Sequence, residues 1–205
     1  MSGCCDGGCS VDALREERQR ATLQIVLGIN AVMFFVIAGA ALYGGSTALL
    51  ADSIDNLGDA LTYGLSLYAV TRGASTKARV ALFKGVLILV AALVVAAQIV
   101  YKLFVPSLPI FEVMGVFSLM GLAANSVCLF LLWRHRHEDV NMSSVWECSR
   151  NDIASNISVF FAAGAVWVSG SGWPDIAVAI GLVLLLLRSA VRVISSAMAE
   201  LRAAP

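Results

Sequence analysis

Long apolar stretches alternate with short polar breaks along the chain from about residue 21 onwards. A bilayer core about 30 Å thick is crossed by a helix of roughly 20 predominantly apolar residues. Segments rich in glycine, serine and proline interrupt this pattern in the way that turns between helices do. The pattern predicts an all-α integral membrane protein with six transmembrane helices. The predicted spans are residues 21–43, 47–71, 79–104, 112–133, 143–168 and 174–196.

The basic residues are distributed unevenly over the two sides of these spans. Of the 14 Lys and Arg residues, Lys102 alone falls on one side, Arg150 lies within a span, and the rest belong to the other side. Cytoplasmic loops of membrane proteins carry an excess of Lys and Arg, so both termini are expected in the cytoplasm. Lys84 and Arg188, just inside their spans, are expected to extend their charged groups towards the membrane surface.

The composition agrees with a membrane protein and excludes a nucleic-acid partner. Hydrophobic residues make up 59% of the chain and charged residues 14%, whereas a soluble domain carries about a quarter charged residues. Lys+Arg and Asp+Glu balance at 14 each, which leaves no net field to attract a polyanion. We expect a multi-pass protein of the lipid bilayer, in the cell inner membrane, with residues 1–20 as a cytoplasmic tail and 21–205 as one transmembrane domain.

Three aspartates interrupt the second predicted span, in the sequence LLADSIDNLGDA. An Asp at the centre of a transmembrane helix costs about 2.5–3.5 kcal/mol on insertion scales. At 100° per residue Asp52, Asp55 and Asp59 share one polar face with Asn56, and the other faces are apolar. The stripe is either a set of buried, protonated and hydrogen-bonded side chains or a functional site. Clustered carboxylates favour the second interpretation, with a metal ion or an exchanged proton as the occupant.

The fifth predicted span carries a second polar stripe. Cys148 and Asp152 are four residues apart, the spacing by which one helix offers two ligands to one metal ion. Four N, O or S ligands are typical of a Zn²⁺ site, and this set also suits Cd²⁺ or Co²⁺ but is too soft for Mg²⁺ or Ca²⁺. The predicted ligands are Asp55, Asp59, Cys148 and Asp152. The predicted supporting residues are Asp52, Asn56 and Asn156.

A cysteine cluster near the N-terminus is a further candidate for metal binding. Cys4, Cys5 and Cys9 lie in a glycine-rich sequence, and thiols stay reduced in the cytoplasm. They are either a metal-collecting group or incidental residues of a tail, and the sequence leaves both interpretations open.

These motifs are similar to those of a known family of transporters. GSTALLADSIDNLGDA resembles the second-span signature of the cation diffusion facilitator family, in which a His or Asp precedes another Asp by four residues. Cys148 and Asp152 occupy the equivalent pair of the fifth span, and GLAANSVCLFLLWR resembles a segment of the fourth. The resemblance implies a homodimer of six-helix protomers that exports divalent transition metals in exchange for protons. It implies no enzymatic activity and no resident cofactor.

Two departures from the family pattern affect these expectations. The family usually carries a cytoplasmic metal-sensing domain after the sixth span, whereas this sequence ends at Pro205, so we expect a compact member without that domain. Cys148 replaces the usual His or Asp, so the family's metal preferences do not transfer. The alternatives are a membrane metal sensor or carrier subunit without transport and, more remotely, an intramembrane aspartyl protease, for which the Gly58-Asp59 pair is a weak signature.

Overall fold

Six helices account for nearly all of the chain that the computed structural model describes, namely residues 6–69, 74–134 and 140–203. No strand occurs within these residues. The helical ends agree with the predicted spans to within a few residues, except that α1 starts near the N-terminus and α6 continues towards the C-terminus. The helices are α1 Asp6–Gly44, α2 Thr47–Ala69, α3 Ala74–Phe104, α4 Phe111–Trp133, α5 Val140–Ser169 and α6 Trp173–Ala203.

Five of the six helices are long and apolar enough to cross a membrane. The exception is α2, which has 23 residues. Every 18-residue stretch of this helix contains all three of its aspartates. Among the described helices α2 is also the one that contacts each of the other five. Protein therefore surrounds α2, and its polar residues face neighbouring helices instead of lipid.

The helices pack mainly as three pairs, α1 with α2, α3 with α6, and α4 with α5. Glycines permit close approach within two of these pairs. A Cβ atom at Gly85 of α3 would lie 2.7 Å from Cγ1 of Ile194 on α6. A Cβ atom at Gly121 of α4 would collide with the Asn156 side chain of α5. Small residues at such crossings are the usual means by which membrane helices gain van der Waals contact.

A buried carboxylate fastens one end of the bundle. Asp175, in the first turn of α6, accepts hydrogen bonds from the backbone N–H groups of Thr47 (2.9 Å) and Ala48 (3.0 Å) at the start of α2. The Ser46 hydroxyl donates a further bond of 2.6 Å to the same carboxylate. The first N–H groups of a helix lack partners within it, so a carboxylate at this position both caps α2 and meets the positive end of its dipole.

Lys102 of α3 completes this cluster. Its ammonium group lies 3.1 Å from Asp175 Oδ2 and also donates to the carbonyl of Gly45, in the turn between α1 and α2. Gly45 has a φ of 62°, which a glycine adopts without strain. The ion pair is almost completely buried, with side-chain exposures of 5% for Lys102 and 0% for Asp175. The cluster therefore joins the ends of α1, α2, α3 and α6.

The Asp175–Lys102 pair predicts a strong dependence of stability on either partner. Asp175→Asn should lower the free energy of unfolding by about 3–5 kcal/mol, because it leaves the Lys102 charge buried and unpaired. The double variant Asp175→Asn/Lys102→Met should lose less than the sum of the two single changes. Denaturant unfolding in detergent micelles, followed by circular dichroism, measures these values. Glu112→Gln, at an exposed position in the first turn of α4, is the control. A loss below about 1 kcal/mol for Asp175→Asn would contradict this role.

Candidate functional site

Two carboxyl groups from different helices meet in the interior of the bundle. Asp59 of α2 and Asp152 of α5 are both buried and are hydrogen-bonded to each other. Tyr63, one turn after Asp59, donates its hydroxyl to Asp59 Oδ2 at 2.7 Å and lies 3.2 Å from the Ser149 hydroxyl of α5. Two ionised carboxylates in contact repel each other unless a proton or another cation lies between them. The hydrogen-bonded pair therefore shares a proton, and another cation could take the place of that proton.

The other two aspartates of α2 differ in their surroundings. Asp55 accepts a hydrogen bond from Ser155 of α5 and is less deeply buried than Asp59. Asp52 is 1% exposed, and neither of its carboxylate oxygens has a hydrogen-bond partner. Asp55 thus belongs to the interface between α2 and α5, whereas Asp52 lies deeper in the protein with an unmet capacity for hydrogen bonding.

The two asparagines predicted to support the site bind the helix backbone. Asn56 Nδ2 donates to the carbonyl of Asp52 at 3.0 Å, and Asn156 Nδ2 donates to the carbonyl of Asp152 at 2.8 Å. Their Oδ1 atoms are buried without a partner. The amide nitrogen of each asparagine therefore bonds to the carbonyl one turn earlier in its own helix. The amide oxygen is left without a hydrogen-bond partner.

A cavity of about 550 Å³ connects part of this site to the outside of the bundle. Asp55, Asp59 and Asp152 line it from α2 and α5. The α6 wall contributes Arg188 and Arg192, one turn apart. Acidic groups therefore lie on one side of the cavity and basic groups on the other.

The complete predicted ligand set is not visible in the described side chains. Among them, no three His, Cys, Asp or Glu residues are grouped so as to hold one metal ion. Cys148 lies in α5, but its side chain is outside the described part of the chain, so its place in the site stays a prediction. Cys4 and Cys5 lie outside the described residues, and so does the side chain of Cys9 in α1.

Lys84 of α3 makes a contact with α2 that the sequence did not indicate. Its ammonium group donates a hydrogen bond to the Thr62 hydroxyl of α2. Thr62 in turn donates to the carbonyl of Gly58 at 2.7 Å. At 100° per residue Thr62 falls on the same face of α2 as the three aspartates, but the helix that contacts it could not be predicted from the sequence.

The fold and this cavity define a multi-pass helical membrane protein with buried carboxyl groups in its interior. The family model for the cation efflux transmembrane domain matches residues 23–202. The chain therefore belongs to the cation efflux family, the cation diffusion facilitator family that its motifs resemble. No curated protein matches the chain. The family match supports cation efflux transport in general, and a transporter in preference to an enzyme.

The isolation of Asp52 predicts that this residue costs stability. Asp52→Leu should hold or raise the free energy of unfolding, by up to about 3 kcal/mol, because it removes two buried oxygens that lack partners. Unfolding in detergent micelles measures the change. The conservative core substitution Ile54→Val, which should lower the free energy of unfolding by about 1 kcal/mol, is the control. A loss of stability in Asp52→Leu would mean that the carboxyl group has a stabilising partner, such as a bound water or ion.

Proposed function

We propose that this protein is a proton-coupled antiporter that exports divalent transition-metal ions of the Zn²⁺, Cd²⁺ or Co²⁺ type from the cytoplasm. It acts as a homodimer in the cell inner membrane. The observation that carries the proposal is the contact between Asp59 and Asp152, two buried carboxyl groups of different helices at the wall of one cavity. A pair that needs a cation between its members can hold a proton in one step and a metal ion in the next.

The exchange follows from the chemistry of the ligands. Metal ions bind to deprotonated carboxylates and thiolates, so binding releases protons and acid conditions release the metal. In the proposed site Asp59, Asp152 and Asp55 supply oxygen ligands, and Cys148 supplies a thiolate. To bind the metal ion, Asp55 must give up its hydrogen bond with Ser155. Protons arriving from the other side of the membrane compete for the same atoms and discharge the metal.

The two ends of the bundle support the proposed direction of access. The cavity is lined by Arg188 and Arg192, and the excess of basic residues on that side supports a cytoplasmic location for its opening. At the opposite end the cluster of Asp175, Lys102 and the start of α2 holds four helices together. We therefore assign the arrangement to a state that accepts metal from the cytoplasm, and transport requires the helices around the cavity to close it.

Removal of either carboxylate of the central pair should stop transport. Asp59→Asn and Asp152→Asn should each lower the rate of metal flux at least about tenfold, because each variant loses a charged ligand and a proton carrier. The assay is Zn²⁺ flux into proteoliposomes with an imposed pH gradient. Glu112→Gln, an exposed acidic residue of α4, should transport at the wild-type rate.

The same assay separates the antiporter from the alternative functions. Wild-type protein that binds Zn²⁺ but produces no flux under a pH gradient would be a sensor or carrier subunit. Flux at the wild-type rate in both Asp59→Asn and Asp152→Asn would place the metal elsewhere in the protein.

The proposed thiolate ligand predicts a specific change in metal preference. A thiolate favours Cd²⁺ and Zn²⁺, whereas a carboxylate favours harder ions such as Mn²⁺. Cys148→Asp should therefore weaken Cd²⁺ transport much more than Mn²⁺ transport, and Cys148→Ser should impair both. Flux of each ion alone, measured across pH 6 to 8, gives the ratio. If the ratio of Cd²⁺ to Mn²⁺ flux in Cys148→Asp equals that of the wild type, Cys148 does not bind the metal.

A further inference from the structure

The cavity that reaches the acidic residues is also lined by cations. Arg188 and Arg192 are four residues apart on α6 and face the same space of about 550 Å³ as the carboxyl groups of α2 and α5. A metal site with no opposing charge would place its full negative potential at the mouth of the cavity. Here the α6 wall offsets part of that potential.

Lys84 brings a third cation to the interior from α3. Its hydrogen bond to Thr62 places the ammonium group against α2, at a residue three positions from Asp59 and therefore on the same side of that helix. The Thr62 side chain is held by its own bond to the carbonyl of Gly58, so the acceptor of Lys84 has a fixed position. The ammonium group is close enough to Asp59 to act on its carboxylate electrostatically.

We propose that Lys84, assisted by Arg188, is a built-in counter-cation that competes with the transported ion and thereby sets the affinity of the site. This inference rests on the proposed function, because it concerns the same carboxylates. Two like charges repel each other, and at the same distance a divalent ion feels twice the repulsion that a proton feels. The charges of Lys84 beside α2 and of Arg188 on the cavity wall therefore weaken the binding of a divalent ion without touching it.

A transporter benefits from such a limit on affinity. A site of three carboxylates and a thiolate, free of opposing charge, would hold a transition-metal ion tightly and release it slowly. Conduction through a binding site requires attraction strong enough for the ion to enter and weak enough for it to leave. In this proposal the carboxylates of α2 and α5 attract the ion strongly enough for it to enter. The cations of α3 and α6 weaken that attraction enough for the ion to leave.

The test is direct binding of Zn²⁺ to the purified full chain in detergent micelles, by calorimetry at about pH 8, where proton competition is smallest. Lys84→Gln, which retains a donor for Thr62, should lower the Kd by about three- to tenfold because it removes only the charge. Lys84→Arg should keep the wild-type Kd. Arg79→Gln is the matched control, because it removes a positive charge from an exposed position of the same helix, and it should also bind as the wild type does.

Flux in proteoliposomes provides the second measurement. In Lys84→Gln the half-saturating Zn²⁺ concentration and the maximal rate should both fall, because a more tightly held ion leaves more slowly. A purely structural role for Lys84 would instead lower the maximal rate and leave the Kd unchanged or raised, which would overturn the proposal.

Arg188→Gln keeps the proposal testable if Lys84→Gln does not fold. Arg188 is exposed at the cavity, so its replacement should leave the fold intact and lower the Kd in the same direction, by about two- to threefold because solvent screens its charge. A Kd at the wild-type value in Arg188→Gln and in any folded Lys84→Gln would overturn the counter-cation. If the variants have lowered Kd values but the wild type gives no flux, the antiporter alone is overturned. If the wild type binds no Zn²⁺, both proposals are overturned.

Discussion

The buried ion pair between Asp175 and Lys102 is the interaction on which the arrangement of the helices depends. Burying two charges is expensive unless their remaining hydrogen-bonding capacity is met. Here the first N–H groups of α2 and the Ser46 hydroxyl satisfy the carboxylate, and the Gly45 carbonyl satisfies the ammonium group. The same contacts fix where α2 begins relative to α3 and α6. The depth of the aspartate stripe of α2 relative to α3 and α6 follows from that anchor.

The central position of α2 explains how a helix with three aspartates fits into a membrane protein. In lipid each of these side chains would oppose insertion, and the helix would not be stable as an isolated span. Contact with every other helix replaces lipid by protein around it. The solution is incomplete, because Asp52 and the amide oxygens of Asn56 and Asn156 are buried without partners. Such unmet polar groups cost stability, and each one in a folded protein calls for an explanation, of which a functional role is one.

The features predicted from the sequence were those that depend on neighbouring residues in one helix. The spans followed from the length of apolar runs, and the polar face of α2 followed from the helical period, since Asp59 and Tyr63 are one turn apart and interact. The contacts between distant spans could not be predicted in this way. The sequence shows Lys102 as an isolated charge, but its pairing with Asp175 depends on how α3 and α6 pack. The contact of Lys84 with Thr62 likewise depends on how α3 packs against α2.

The proposed antiport would place opposite demands on one group of side chains, and the charges around the cavity offer a way to meet both. A carboxyl pair alone also occurs in aspartyl proteases, where a shared proton serves hydrolysis. Here Asp55 adds a third carboxyl group to the pair of Asp59 and Asp152, and Arg188 and Arg192 line the same cavity. Additional carboxylates raise affinity for a divalent ion more than for a proton, because the attraction grows with the charge of the ion. Fixed cations oppose the divalent ion more strongly for the same reason. Under the proposed function, the balance between these two sets of charges determines whether a proton arriving from the far side can displace the metal.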